Sequence, residues 1–126
     1  MFEGIKKRWA EARAIEANKE VVDVLQRFNR MDALDQQLVT RAFEAMTSEI
    51  PDSLSNSEKA EMAKGIMKAA RAAFSTRGDN LMAHTSRVSA FGGALVSLYL
   101  ECQTLPGEQA IRTVALIDDW KRRTVG

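Results

Sequence analysis

From Val88 to Leu100 the chain reads Val-Ser-Ala-Phe-Gly-Gly-Ala-Leu-Val-Ser-Leu-Tyr-Leu, uncharged until Arg87 on one side and Glu101 on the other. As a helix this run is about 20 Å long, short of the roughly 20 residues that a bilayer-spanning helix needs. A segment so apolar has to be covered by protein on more than one side. It therefore predicts a central buried helix that the rest of the chain wraps.

At about 100° per residue, the segment from Leu81 to Leu105 sorts into two opposed faces. One is bulky: Leu81, Val88, Phe91, Leu95, Leu98, Tyr99 and Cys102, with His84 among them. The other is small: Ala83, Ser86, Ala90, Gly93, Ala94 and Ser97. Small residues three and four apart let a second helix come close. Each glycine in a helix interior costs about 1 kcal/mol, so Gly92-Gly93 predicts a close-packing seam rather than a kink.

The flanking sequence supplies four more helices and no alternating run that reads as a strand. A first helix is expected from Glu3 to Asn29. Its first half puts Phe2, Ile5, Trp9 and Ala12 on one face, and its second half puts Ala17, Val21, Val24, Leu25 and Phe28 on another, rotated by more than a quarter turn. One stripe is expected of a helix on one core. The helix therefore either bends near Asn18-Lys19 or packs its N-terminal half against something else. A second helix, capped by Asp32, carries Leu34, Leu38, Ala42, Phe43 and Met46 inward until Pro51. Ser55 and Glu58 have capping-box spacing and open a third helix, whose Ala63, Ile66, Met67, Ala70, Ala73 and Phe74 face the small side of the central one. Arg77-Gly78-Asp79-Asn80 reads as a helix-ending glycine followed by an acidic cap. A last helix from Pro106 to Arg123 turns Val114, Leu116, Ile117 and Trp120 to the body and ends on Lys121-Arg122-Arg123, which suits a helix C-terminus.

No catalytic constellation emerges. His84 is the only histidine and Cys102 the only cysteine. Eighteen residues of one helix hold them about 27 Å apart. Zinc needs three or four ligands, so no metal site is expected and no cofactor. On its apolar face His84 reads as a hydrogen-bonded core residue. Asp118-Asp119 diverge by about 100° and do not converge on a substrate. The third helix, its turn and the central helix outline a helix-turn-helix. That reading offers only Asn80, His84 and Arg87 on a would-be recognition helix that is the most apolar segment of the chain. With a formal net charge of +1, nucleic acid is not an expected partner.

The expectation is thus an all-α, single-domain bundle of about five helices over residues 1–126, organised by an apolar fourth helix, with residues 1–12 as an amphipathic arm. The candidate interaction face is Phe2, Ile5, Lys6, Lys7 and Trp9. Three destinations are open to it: its own subunit, a partner helix such as that of a second copy, or peripheral contact with a lipid surface. The function expected is a non-catalytic interaction or regulatory protein that works through protein–protein contacts and self-associates. A bundle enclosing an apolar small molecule or lipid, and an enzyme whose site is dispersed in sequence, are the competing readings. The opening Met-Phe-Glu-Gly-Ile-Lys-Lys-Arg-Trp lacks an apolar leader core, and one cysteine suits a reducing compartment, so a cytoplasmic location is expected.

Overall fold

The computed structural model describes residues 2–125. Five helices follow in order: α1 Phe2–Arg30, α2 Ala33–Ser48, α3 Asn56–Phe74, α4 Leu81–Thr104 and α5 Glu108–Thr124. There is no strand among the described residues.

Three of the starts have a side-chain cap. Asp32 and Asn80 cap α2 and α4 by accepting from the amides of Asp35 and Ala83, at 2.9 and 2.8 Å. Ser55 and Glu58 form the full capping box of α3. At α4 the cap is thus the amide Asn80 rather than the acid Asp79. Gly78 does not end α3 directly either. That helix stops at Phe74 with Ser75 as its cap, and Gly78 turns the linker three residues on, at φ +114°. Arg87 then ties the turn down, donating from Nη1 to the carbonyls of Thr76 and Gly78 at 2.8 and 2.9 Å. α5 opens two residues later than Pro106, after Gly107 at φ +94°.

The central position of α4 is as expected, for it packs against α1, α2, α3 and α5. Leu95, Val96, Ser97 and Leu98 are fully buried at its middle. α2 runs parallel to it, as Asp35 lies by His84 and Val39 and Phe43 by Gly92. α3 runs antiparallel, with Ala70 beside Gly93 and Lys59 bonded to Gln103. The small face seats α3 as the alanine pattern implied, and the buried Ser97 hydroxyl donates to the Ala63 carbonyl at 2.7 Å.

The tightest approach belongs to Gly92, not Gly93. A Cβ on Gly92 would lie 2.6 Å from the Val39 carbonyl oxygen and 3.0 Å from the Phe43 nitrogen, so α2 backbone fills that space. The bulky face meets an aromatic cluster in which Trp120 stacks edge-on against Phe28 and Phe43, with ring centroids 5.4 and 5.1 Å away.

Two ends of that inward pattern are corrected. Leu81 is 79% exposed and Leu34 73%, although Ala83, in the same turn as Leu81, is buried. His84, on the same first turns of α4, is half-exposed rather than core. It meets the Asp35 carboxylate at 2.9 Å across the helix pair. On α5 the inward positions are Ala110, Thr113, Ile117 and Trp120, while Leu116 turns outward.

Candidate functional site

α1 is one unbroken helix of 29 residues, about 43 Å long. Its first buried side chain is Ala14; then come Ala17, Val21, Val24 and Phe28, all on one stripe. Arg13 marks where the body begins. Its guanidinium forks onto Glu101 of α4, with Nε and Nη2 each 2.7 Å from a carboxylate oxygen, and Nη1 donates to Glu20 at 3.0 Å. Paired with two carboxylates, Arg13 is held far above its ordinary pKa and stays charged. This bidentate pair fixes the level of α1 against α4.

N-terminal to that clamp, every residue from Phe2 to Trp9 is exposed. Phe2 is 80% exposed, Ile5 50% and Trp9 73%. Their face therefore does not pack within its own subunit. The eleven positions from 2 to 12 amount to about 16 Å of helix. Their apolar stripe is turned by about 120° from the stripe that anchors α1 in the body. Lys6 and Arg8 flank it on either side, while Glu3, Lys7 and Glu11 lie at the back.

Beside the body half of α1 runs a groove. α1 and α3 both pack on α4 but have next to no contact with each other. The gap holds two open cavities of about 540 and 470 Å³ that adjoin at Met67 and Arg71. Its floor is Phe91, Ala94, Ser97 and Leu98 of α4. The α3 wall carries Lys64, Lys68 and Arg71; the α1 wall carries Arg13, Glu20, Asp23 and Arg27.

Elsewhere several polar groups are engaged internally, while the buried Trp120 Nε1 has no hydrogen-bond partner among the described residues. The Cys102 thiol is buried and pushed up to about 11, first by burial and then by Glu101. It is a protonated packing group at neutral pH, not a nucleophile. Tyr99 donates to Asp118 at 2.6 Å and is pushed up to about 12, chiefly by burial. Neither is poised for proton transfer near neutrality. No group of three or more potential metal ligands converges among the described residues. No helix among them is long and apolar enough to cross a membrane. The three would-be base readers are also committed: Asn80 caps α4, His84 meets Asp35, and Arg87 holds the α3–α4 turn.

The rotated stripe of Phe2, Ile5 and Trp9 is legible in the sequence. The groove is not, because it depends on α1 and α3 standing apart across α4, which no local pattern encodes. Compared with known proteins, the chain matches no protein family, no curated protein and no solved structure.

Proposed function

We propose that the protein is a non-catalytic interaction module: the bundle is a scaffold, and the N-terminal end of α1 is its docking element for another protein. One observation carries this reading. Phe2, Ile5 and Trp9 are set in water on a stripe that its own subunit leaves uncovered. Exposed apolar groups gathered on one helix face mark a contact surface. Leu34, Leu81 and Met82 are as exposed at the first turns of α2 and α4, but they do not line one face of a single helix. A bundle that encloses an apolar ligand is less well supported. The bulky side of α4 is filled by Trp120, Phe43 and Phe28, and the clefts along the helices are open. We place the protein in the cytoplasm, on its single, buried and unreactive thiol.

A second copy is the simplest protein partner, but arm-to-arm pairing is poorly matched. The seam Phe2, Ile5, Trp9, Ala12 has heptad spacing, and the positions that flank it are Lys6, Arg8 and Arg13. Either orientation of the two helices opposes cation to cation.

The test compares the full chain with a form lacking residues 2–12. Both are used as bait for affinity capture from the native cell and are also weighed in solution. The deletion removes no buried residue, so the melting temperature should hold to within a few degrees. A protein partner, or a second copy seen in the solution mass, should be lost with the arm. Identical captured proteins and identical mass for both forms would overturn the reading.

A further inference from the structure

The arm and the groove are continuous. Residues five helical turns apart share an azimuth, which sets Phe2 in line with Glu20, Ile5 with Asp23 and Trp9 with Arg27. Glu20, Asp23 and Arg27 are the α1 wall of the groove. The apolar face of the arm is therefore the forward extension of that wall. From Phe74 to Ala60 the groove follows α3 for about 21 Å, and the arm adds about 16 Å, together the length of a helix of about 25 residues.

Cations outnumber acids along this strip: Glu20 and Glu101 share the single guanidinium of Arg13, and Glu16, on the azimuth of the arm, meets Lys19 at 3.7 Å. Asp23 meets Arg27 at 3.1 Å. Lys6, Arg8, Lys68 and Arg71 enter none of the ion pairs formed among the described residues. The strip is thus an apolar line, Phe2, Ile5 and Trp9 followed by Met67 and Phe91, edged by unpaired cations. We propose that it seats one amphipathic helix of a partner protein whose flanks are acidic. This rests on the reading of the arm as the docking element. The shape favours a helix over a bilayer, because the cavity between α1 and α3 is concave and a planar surface does not enter it. Charge excludes a second copy of the arm, which would bring more cations.

The test uses two synthetic helical peptides of about 25 residues, alike in a leucine seam but flanked by glutamate in one and lysine in the other. Vesicles of phosphatidylserine and phosphatidylcholine serve as the third probe. The full chain is titrated with each, reading peptide anisotropy and the emission of Trp9, with Trp9→Phe identifying the signal of that residue against buried Trp120. The glutamate peptide should bind at least tenfold more tightly than the lysine peptide and shift Trp9 emission to the blue. The double variant Lys68→Glu/Arg71→Glu, both positions exposed on α3, should weaken it at least tenfold, and so should 0.5 M salt. Equal affinity for both peptides, or no binding of either, overturns the proposal, as does vesicle binding with none of the peptide. If the glutamate peptide binds through Trp9 but ignores the charge reversal, the docking arm stands and the joint strip falls. If it feels the reversal but tolerates loss of residues 2–12, the groove stands alone and the arm reading falls with the strip.

Discussion

At the scale of single residues, α4 shows how adjacent glycines can have unlike reasons. Gly92 faces α2, and a methyl there would sit 2.6 Å from a carbonyl oxygen and 2.9 Å from the Ala42 Cβ. Neither can rotate away, so α2 as a whole has to move. Gly93 faces the Met46 Cε at 3.3 Å and the Ala70 Cβ at 3.6 Å, and the methionine end can swing aside. Overpacking a rigid site costs about 1–3 kcal/mol or more, while leaving glycine in a helix gains up to about 1 kcal/mol. Gly92→Ala is therefore expected to destabilise by about 2 kcal/mol and Gly93→Ala to be neutral or slightly stabilising. Urea melts of the two variants decide it; equal effects would mean that α2 does not approach as closely as described. The Tyr99 phenol and Cys102 thiol add a pH dependence. Both are pushed up in the folded chain, to about 12 and about 11, chiefly by burial. The unfolded chain then loses these protons first, binds fewer of them, and is favoured as the pH rises. Stability is expected to be level through neutrality and to fall from about pH 9 to 12. Tyr99→Phe should make the upper part of that fall shallower, read from thermal melts at successive pH values.

Among the elements, α3 depends most on a local signal. Its capping box joins the Ser55 hydroxyl to the Glu58 amide at 3.2 Å and the Glu58 carboxylate to the Ser55 amide at 3.0 Å. Those bonds hold the Glu58 carboxyl below its ordinary range. Its contribution is complete at neutral pH and is lost as the pH falls through the carboxylate range. Ser55→Ala should cost about 1 kcal/mol, measured by denaturant melts at pH 7. That box was legible because it is written in four consecutive residues. So was the burial of α4, because an uncharged run has one destination in water. The misplacements have a common cause. Leu34, Leu81 and His84 continue an inward-facing period into the first turns of α2 and α4, where their side chains stay exposed, and periodicity carries no information about which turns a neighbour covers. The same limit hid the groove, although the mismatch of the two stripes on α1 was enough to separate arm from anchor. Val39 is fully buried on α2 although it lies outside the stripe of Leu34, Leu38, Ala42 and Met46.

On the scale of the whole molecule, a net charge of +1 conceals a segregated surface. Acids on the α1 side of the groove are engaged by Arg13 and Arg27 within the chain, and the cations Lys6, Arg8, Lys68 and Arg71, outside those pairs, lie on the arm and on α3. The same division should appear in local stability. Amide exchange in a small bundle ranges from almost unprotected ends to a core that opens only with global unfolding. The middle of α4 is buried from Ala94 to Leu98 against several helices and has no way to open while they remain in place. Residues 2–12 bury no side chain and have only helical hydrogen bonds to hold them. An isolated helix of that length is marginal in water, but here Ala14 and the Arg13 clamp supply a formed turn from which it propagates. Hydrogen exchange with mass spectrometry should therefore find the amides of α4 the slowest in the chain. Those of the arm should exchange orders of magnitude faster, with protection rising abruptly near Arg13. Binding of the glutamate-flanked peptide should slow the arm and leave α4 unchanged. Arm amides that exchange as slowly as those of α4 in the dilute, unbound protein would mean that Phe2, Ile5 and Trp9 are already covered, and would remove the surface on which the docking reading stands.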